Sequence, residues 1–195
     1  MQKLRVEDVM PLSEYEAARP SFRAKVIEHK KRKRVLLGPE MSLLFEDRLT
    51  VLNQVLEMVR AERITKSESV ADEVAVYNDL IPSDGCLLAT LMIEIPDAAQ
   101  RALRQRDYLG LDKHIHLEIG SQRVTATFDP KGIEEHEISV VQYVTFVVGR
   151  DAAAALRDPS QPARIVSTHP RYGFGVELRE ETRLALADDL SAENR

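Results

Sequence analysis

The sequence has one cysteine, no long apolar run and no leader-like segment. Cys86 alone can form neither an intramolecular disulfide nor a cysteine-only metal site. The longest apolar runs have only the length of a strand, so we expect no segment that spans a bilayer. The first twenty residues are too acidic and too polar for a signal peptide. These absences predict a cytoplasmic protein without membrane contact.

Common catalytic motifs are also missing. The sequence has no GxGxxG, no phosphate-binding loop with its lysine and no GxSxG. A di-iron carboxylate centre needs Glu-x-x-His pairs on facing helices, but Glu57 is followed three residues later by Arg60. A Cys–His nucleophile would need Cys86, which begins an apolar strand where thiols are usually buried and unreactive. The sequence therefore implies no cofactor and leaves open whether the protein is an enzyme.

The charge of the chain is moderately acidic and unevenly distributed. Its 27 Lys and Arg against 32 Asp and Glu give a net charge of −5, which argues against a nucleic-acid binder. Residues 1–66 carry 14 basic and 10 acidic side chains, so the rest of the chain is acidic. This asymmetry favours oriented docking on a protein partner. The basic run 29–34 lacks interleaved aromatic residues, and we interpret it as a solvated helix end or a contact for an acidic partner.

Hydrophobic patterning predicts a single α+β domain over residues 1–195, with a helical part at about 12–81 and a sheet-rich part at about 85–190. Ser13 can cap a short helix, and Pro20 can begin a second helix over 20–33. Asp47 is expected to cap the main helix over 48–64. Strands are predicted at 35–37, 41–45, 86–95, 114–119, 124–128, 138–148, 164–167 and 172–178. We thus expect an N-terminal helical segment packed on a mostly antiparallel sheet, with a C-terminal helix over 180–190.

The main helix carries the most informative pattern. Its apolar stripe has the i, i+3, i+4, i+7 spacing of a buried helix face and consists of Leu52, Val55, Leu56 and Val59. A coherent polar face lies on its other side and consists of Glu46, Gln54, Glu57 and Arg60. If another element covers this face, these groups must bond to one another, and together with Asn78 and Glu94 they could line a ligand pocket. The alternative is a solvated face with internal ion pairs.

A second candidate site is the HxH pair formed by His114 and His116. Side chains two residues apart in a strand point to the same face, so both imidazoles can reach one metal ion. The third ligand could be Glu118 on the same face or Glu94 from a neighbouring strand. Without a fixed downstream ligand this signal is weak, and polar residues on a solvated strand face are the alternative.

The segment RVLLGPEMSLLFEDRLTVLNQVLEMVRAERI, followed by YNDLIP and LLATLMIEI, resembles the bacterial domain-of-unknown-function family 3501. The resemblance continues through THPRY and ETRLALADDL and covers most of the chain. The matching positions are Arg34, Leu37, Gly38, Leu44, Phe45, Glu46, Thr50, Gln54, Glu57, Met58, Glu62, Tyr77, Asn78, Ile81, Pro82, Thr90 and Glu94. The HxH pair is not part of this pattern.

The resemblance carries no assigned activity. Members of the family tend to be encoded beside rubrerythrin-like proteins and iron–sulfur oxidoreductases, which implies an accessory role in a redox system. The partner would then be a redox protein, docked on the polar face of the helix over 48–64 and on the basic run 29–34. A homo-oligomer is also open.

Overall fold

The computed structural model describes residues 1–133, 135–149 and 151–191. Within these residues the helices are α1 (Leu12–Lys31), α2 (Arg48–Ala61), α3 (Ser67–Asn78), α4 (Ala98–Asp107), α5 (Ala152–Arg157) and α6 (Glu180–Ser191). The strands are β1 (Arg34–Leu37), β2 (Met41–Phe45), β3 (Cys86–Ile93), β4 (Ile115–Ile119), β5 (Gln122–Thr125), β6 (Thr127–Phe128), β7 (Val141–Val147), β8 (Ala163–His169) and β9 (Tyr172–Glu177). The α+β class with a C-terminal helix is confirmed. None of the helices described is long and apolar enough to cross a membrane.

The strands form two antiparallel sheets that share one hydrophobic core. The five-stranded sheet has the order β1-β2-β3-β7-β6, and the four-stranded sheet has the order β5-β4-β8-β9. The chain passes from one sheet to the other at the buried Ala126, between β5 and β6. The predicted hairpin over 124–128 is therefore divided, because β5 pairs back on β4 whereas Thr127 and Phe128 pair with β7.

The N-terminal helix is one continuous element, so the prediction of two helices divided at Pro20 was wrong. Proline lacks the N–H group that an interior helical position normally donates. Contacts to α2 on both sides of Pro20 hold α1 together. Arg19 bonds to Glu57 before the proline, and His29 bonds to Asp47 after it.

The start of α2 follows the sequence signal. The carboxylate of Asp47 accepts hydrogen bonds from the backbone N–H groups of Leu49 and Thr50, at 2.9 and 3.0 Å. The apolar stripe of α2 includes the buried Val55. This stripe packs with α3 on the five-stranded sheet and forms a second hydrophobic cluster. The polar face of α2 is thereby turned toward α1.

Candidate functional site

The polar face of α2 forms a partly buried ionic contact with α1. Glu57 accepts hydrogen bonds from the hydroxyl of Tyr15 at 2.6 Å and from Nε and Nη2 of Arg19 at 2.8 and 2.9 Å. The Arg19 guanidinium, aided by the Tyr15 hydroxyl, outweighs partial burial and lowers the pKa of Glu57 to about 2. Arg60 forms a second link to α1 through Glu16, with Nε 3.0 Å from Oε1. These groups bind the two helices to each other.

Glu46 lies deeper, at the end of β2. Its side chain is almost fully buried and accepts hydrogen bonds from the hydroxyls of Thr50 and Thr90, the latter at 2.6 Å. Burial raises the pKa of Glu46, because loss of water disfavours the charged form more than the two hydroxyls favour it. Glu46 therefore joins the start of α2 to β3.

The remaining candidates of the predicted pocket lie elsewhere. Asn78 binds the backbone of Leu4, accepting from its N–H at 2.8 Å and donating to its C=O at 3.0 Å. Glu94 accepts from Ser42 at 2.7 Å and from Arg34 at 3.2 Å. The structure thus brings Glu57 and Arg60 to the α1–α2 contact, whereas Asn78 bonds to Leu4 and Glu94 bonds to Ser42 and Arg34.

Gln54 differs from the other residues of the α2 face. Its side-chain Oε1 is buried and has no hydrogen-bond partner in the part of the chain that the structure describes. Gln54 thus joins none of the ionic contacts of this face, and it does not extend them toward Asn78 or Glu94.

The three residues of the metal hypothesis have other partners. His116 contacts Thr125 through Nδ1 and Thr168 through Nε2, both at 3.0 Å. His114 contacts the same Thr168 hydroxyl, while Glu118 accepts hydrogen bonds from Arg123. Burial lowers the pKa of His116. Across residues 1–133, 135–149 and 151–191, no group of three or more His, Cys, Asp or Glu side chains could hold a metal ion.

A buried ion network, which sequence reasoning missed, lies where α1, α2 and α6 meet. It consists of His29, Lys33, Asp47 and Asp189. The Nε2 of His29 lies 2.5 Å from Oδ2 of Asp47, and Nζ of Lys33 lies 3.0 Å from the same oxygen. Lys33 also bonds to Asp189 and is only 2% exposed. Two carboxylates therefore share one fully buried ammonium group.

The two carboxylates of the network have opposite pKa shifts. Burial favours the neutral acid at both positions. At Asp47 the hydrogen bond from His29 and the charge of Lys33 outweigh burial, and the pKa falls well below its usual range. At Asp189 burial outweighs the attraction of Lys33, and the pKa rises to about 6. Of the two carboxylates, Asp189 therefore gains a proton more readily.

One sequence signal could have revealed this network. Asp189 lies on the same helical stripe as the buried residues Thr182, Ala185 and Leu186, at the spacing of an inward-facing position. A carboxylate on a buried stripe needs a cationic partner. Its partner Lys33 belongs to the basic run 29–34, for which the sequence predicts a solvated helix end or a contact for an acidic partner.

An open cleft of about 800 Å³ lies over the network, between α1 and α6. We call it the α1–α6 cleft. Its lining consists of Lys25, Glu28, His29, Lys31 and Arg32 of α1 and the residue after it, Leu49 of α2, and Glu181, Leu184, Ala185 and Asp188 of α6. The Nδ1 of His29 is 3.0 Å from the Arg32 guanidinium. The cleft thus has a mainly basic side on α1 and an acidic side on α6, with aliphatic side chains between them.

The chain is thus an α+β protein with two sheets, in which α2 and α3 pack on the five-stranded sheet and a buried ion network joins α1, α2 and α6. The chain belongs to the family described as protein of unknown function (DUF3501), whose profile matches residues 3–190. A crystal structure of a novel protein of unknown function from Burkholderia pseudomallei K96243 is similar, with 29% identity and a TM-score of 0.89. The similarity covers 97% of this chain and 100% of that chain. No curated protein matches.

Proposed function

We propose that the protein is an accessory binding subunit that docks a protein partner in the α1–α6 cleft. The observation that supports this proposal is the arrangement of charge around the cleft. Lys25, Lys31 and Arg32 lie on one side, and Glu181 and Asp188 lie on the other. A partner with charges in the complementary order can bind in only one orientation.

The floor of the cleft suits an amphipathic helix of the partner. The exposed Leu184 and the half-buried Leu49 offer aliphatic contact between the two charged sides. Helix-in-groove recognition uses an apolar face of this kind, with charges along its rims. The buried network of Lys33 and Asp189 lies beneath and fixes α6 against the end of α1. A fixed groove reduces the entropy that binding must overcome.

The nature of the partner rests on the family resemblance. We propose a rubrerythrin-like or iron–sulfur redox protein of the cytoplasm as the partner. The test is purification of a tagged copy at native expression and low salt, followed by identification of any stoichiometric companion. Recovery of no redox protein under these conditions would contradict this choice of partner.

The cleft itself is tested with charge-reversal variants and the purified partner. Lys25 and Glu181 have no ion pair elsewhere among the described residues, so Lys25→Glu and Glu181→Lys change the cleft with little other effect. Each is expected to weaken binding at least about tenfold, measured by calorimetry. Arg106→Glu, an exposed position on α4, is the control and should bind like the wild type. Equal affinity of all variants would exclude this cleft as the docking site.

A second candidate function is binding or turnover of a small polar ligand in the same cleft. The observation that favours it is the exposed Arg32 guanidinium in the cleft, which lies 3.0 Å from Nδ1 of His29, because a guanidinium can bind an anionic ligand. Inorganic phosphate and acetate are the probes, and thermal unfolding is the measurement. Either anion should raise the melting temperature of the wild type but not of Arg32→Gln, if this function holds. Identical melting curves with and without the anions would contradict it.

A further inference from the structure

The strand β9 forms an edge of the four-stranded sheet, where the turn after β1 packs on Tyr172 and Phe174 and residues 173–175 remain exposed. Among the described strands it pairs only with β8, through a register that runs from His169↔Tyr172 to Arg164↔Glu177. Protein edges are normally protected by charged side chains, prolines or bulges. The stretch from Tyr172 to Val176 has none of these, and Phe174 at its centre is 40% exposed. Such an edge is available to pair with another strand.

The free backbone groups of this edge can be assigned from the register. The N–H of Leu178 donates to the C=O of Ala163 at 2.8 Å, which places this pair among those that bond across the ladder. Hydrogen-bonded and non-bonded pairs alternate along an antiparallel ladder. Gly175 and Gly173 lie three and five residues before Leu178, so they belong to non-bonded pairs and direct their backbone groups away from β8. Glycines leave the approach to these groups open, since they have no side chain to obstruct a neighbouring strand.

The sequence of the edge is complementary to itself. In an antiparallel pair centred on Phe174, Gly173 of one copy lies opposite Gly175 of the other, so the outward-directed groups bond to each other. The same register places Arg171 opposite Glu177 at both ends. We infer that the protein forms a twofold dimer in which β9 pairs with β9 of a second copy, joining two four-stranded sheets into one of eight strands.

The ion pairs at the ends of β9 are free to extend to a second copy. Within one chain, Arg171 is 3.0 Å from Asp107, and Glu177 is 3.1 Å from Arg164. The side chains of Arg171 and Glu177 are nevertheless 65% and 67% exposed. Opposite charges that lie directly across two paired strands stabilise the pairing. Their main effect here is to select the antiparallel register centred on Phe174.

An apolar groove beside the edge supplies the additional contact area that a stable dimer needs. Two paired strands alone bury too little surface, because stable interfaces exceed about 1,000 Å² in total. A groove of about 480 Å³ lies between β1 and the end of β9, lined by Val35, Leu36, Val176 and Leu178 among others. Leu36 is 62% exposed there. A second copy on β9 can cover this surface. The dimer proposal does not depend on the function proposed for the α1–α6 cleft.

The test is the mass of the full chain in solution, with charge reversal at the two ends of β9. The wild type is expected to be a dimer at about 100 µM by light scattering. Arg171→Glu and Glu177→Arg should each raise the dissociation constant at least about tenfold, since each places like charges opposite one another. A mixture of the two single variants should recover a heterodimer. Arg123→Glu, on the opposite edge strand β5, is the control and should dimerise like the wild type.

A second variant tests the backbone pairing. Gly173→Pro removes an outward-directed N–H, and no neighbouring heavy atom lies closer than 4.0 Å to the added Cβ. It should be a folded monomer by circular dichroism and light scattering. A monomeric wild type would overturn the proposal, and so would a Gly173→Pro variant that dimerises normally. Charge variants that dimerise like the wild type would overturn the register centred on Phe174.

Discussion

The Nε2 atom of His29 lies 2.5 Å from the Oδ2 atom of Asp47, and this contact joins the last turn of α1 to the cap of α2. The same carboxylate caps α2 through Thr50 and pairs with the buried Lys33. One side chain thus satisfies a helix terminus, an imidazole and an ammonium group. Its removal takes a partner from all three at once, and Lys33 then keeps only Asp189.

We therefore expect Asp47→Ala to be among the most destabilising single substitutions. Removal of one partner from a buried ion pair costs about 3–5 kcal/mol, and loss of an N-cap adds about 1 kcal/mol. The measurement is the free energy of unfolding in urea at neutral pH. Asp188→Ala is the control, because this exposed carboxylate pairs with Arg157 at the surface and should contribute less than about 1 kcal/mol. A cost at Asp47 no greater than at Asp188 would contradict the network.

The raised pKa of Asp189 predicts an unusual pH dependence of the free energy of unfolding. Its pKa in the folded protein is about 6, above the ordinary value of 3.8 for aspartate. The folded state therefore holds the proton more tightly, and the contribution of this group to stability is lost as the pH rises from about 4 to about 6. Between pH 4 and 6 the free energy of unfolding of Asp189→Asn should therefore change by up to about 3 kcal/mol less than that of the wild type.

The measurement is the free energy of unfolding at a series of pH values, taken for the wild type and Asp189→Asn. The matched control is Asp188→Asn, at the adjacent exposed position, which should keep the wild-type slope between pH 4 and 6. Parallel curves for wild type and Asp189→Asn would show that Asp189 titrates normally in the folded protein.

The lowered pKa of Glu57 predicts the opposite pH dependence of the free energy of unfolding. Its pKa is lowered from 4.5 to about 2 by Arg19 and Tyr15, so its contribution is present above pH 4.5 and lost as the pH falls toward 2. Glu57→Gln should lower the free energy of unfolding by about 1–2 kcal/mol at pH 7 and by less at pH 3. Glu16→Gln, which weakens only the more exposed pair with Arg60, should cost less than about 1 kcal/mol. A Glu57→Gln cost that does not change with pH would contradict the assigned ion pair.

Local features of the fold were predictable from the sequence because their causes are local. Asp47 was identified as a cap because a carboxylate before an apolar period bonds to the N–H groups that follow it. The stripe through Val55 and Val59 was identified by its spacing, and both residues are buried. The sequence leaves open whether the face of α2 at Glu57 is covered, and in the structure this face contacts Arg19 of α1.

Long-range contacts were not predictable in this way. Lys33 belongs to a basic run but is buried against Asp47 and against Asp189, which lies 156 residues later in the chain. Pro20 marks a helix start by local rules, but packing of both halves of α1 on α2 overrides that rule. The division of the sheet at Ala126 likewise depends on β7, which follows it in sequence. The stripe of α6 indicates that Asp189 faces inward, but a single-sequence pattern does not identify its distant partner.

A substitution at Gly38 should cost stability both through backbone strain and through crowding of the added Cβ against neighbouring side chains. Its φ of +66° is costly for other residues, and a Cβ there would lie 2.7 Å from Cγ of Phe174 and 2.8 Å from the hydroxyl of Tyr172. That hydroxyl donates to the C=O of Leu37 at 2.6 Å and so joins β9 to the turn after β1. Gly38→Ala should therefore combine about 1–2 kcal/mol of strain with about 1–3 kcal/mol of overpacking.

Gly110→Ala is the matched control for Gly38→Ala. Gly110 has a φ of +87°, but no atom lies within 4 Å of an added Cβ, so only the strain of about 1–2 kcal/mol applies. Both free energies of unfolding are measured in urea. A larger loss at Gly38 is expected because the ring of Phe174 and the hydroxyl of Tyr172 must both move. Equal losses at the two positions would show that the turn after β1 yields without disturbing β9.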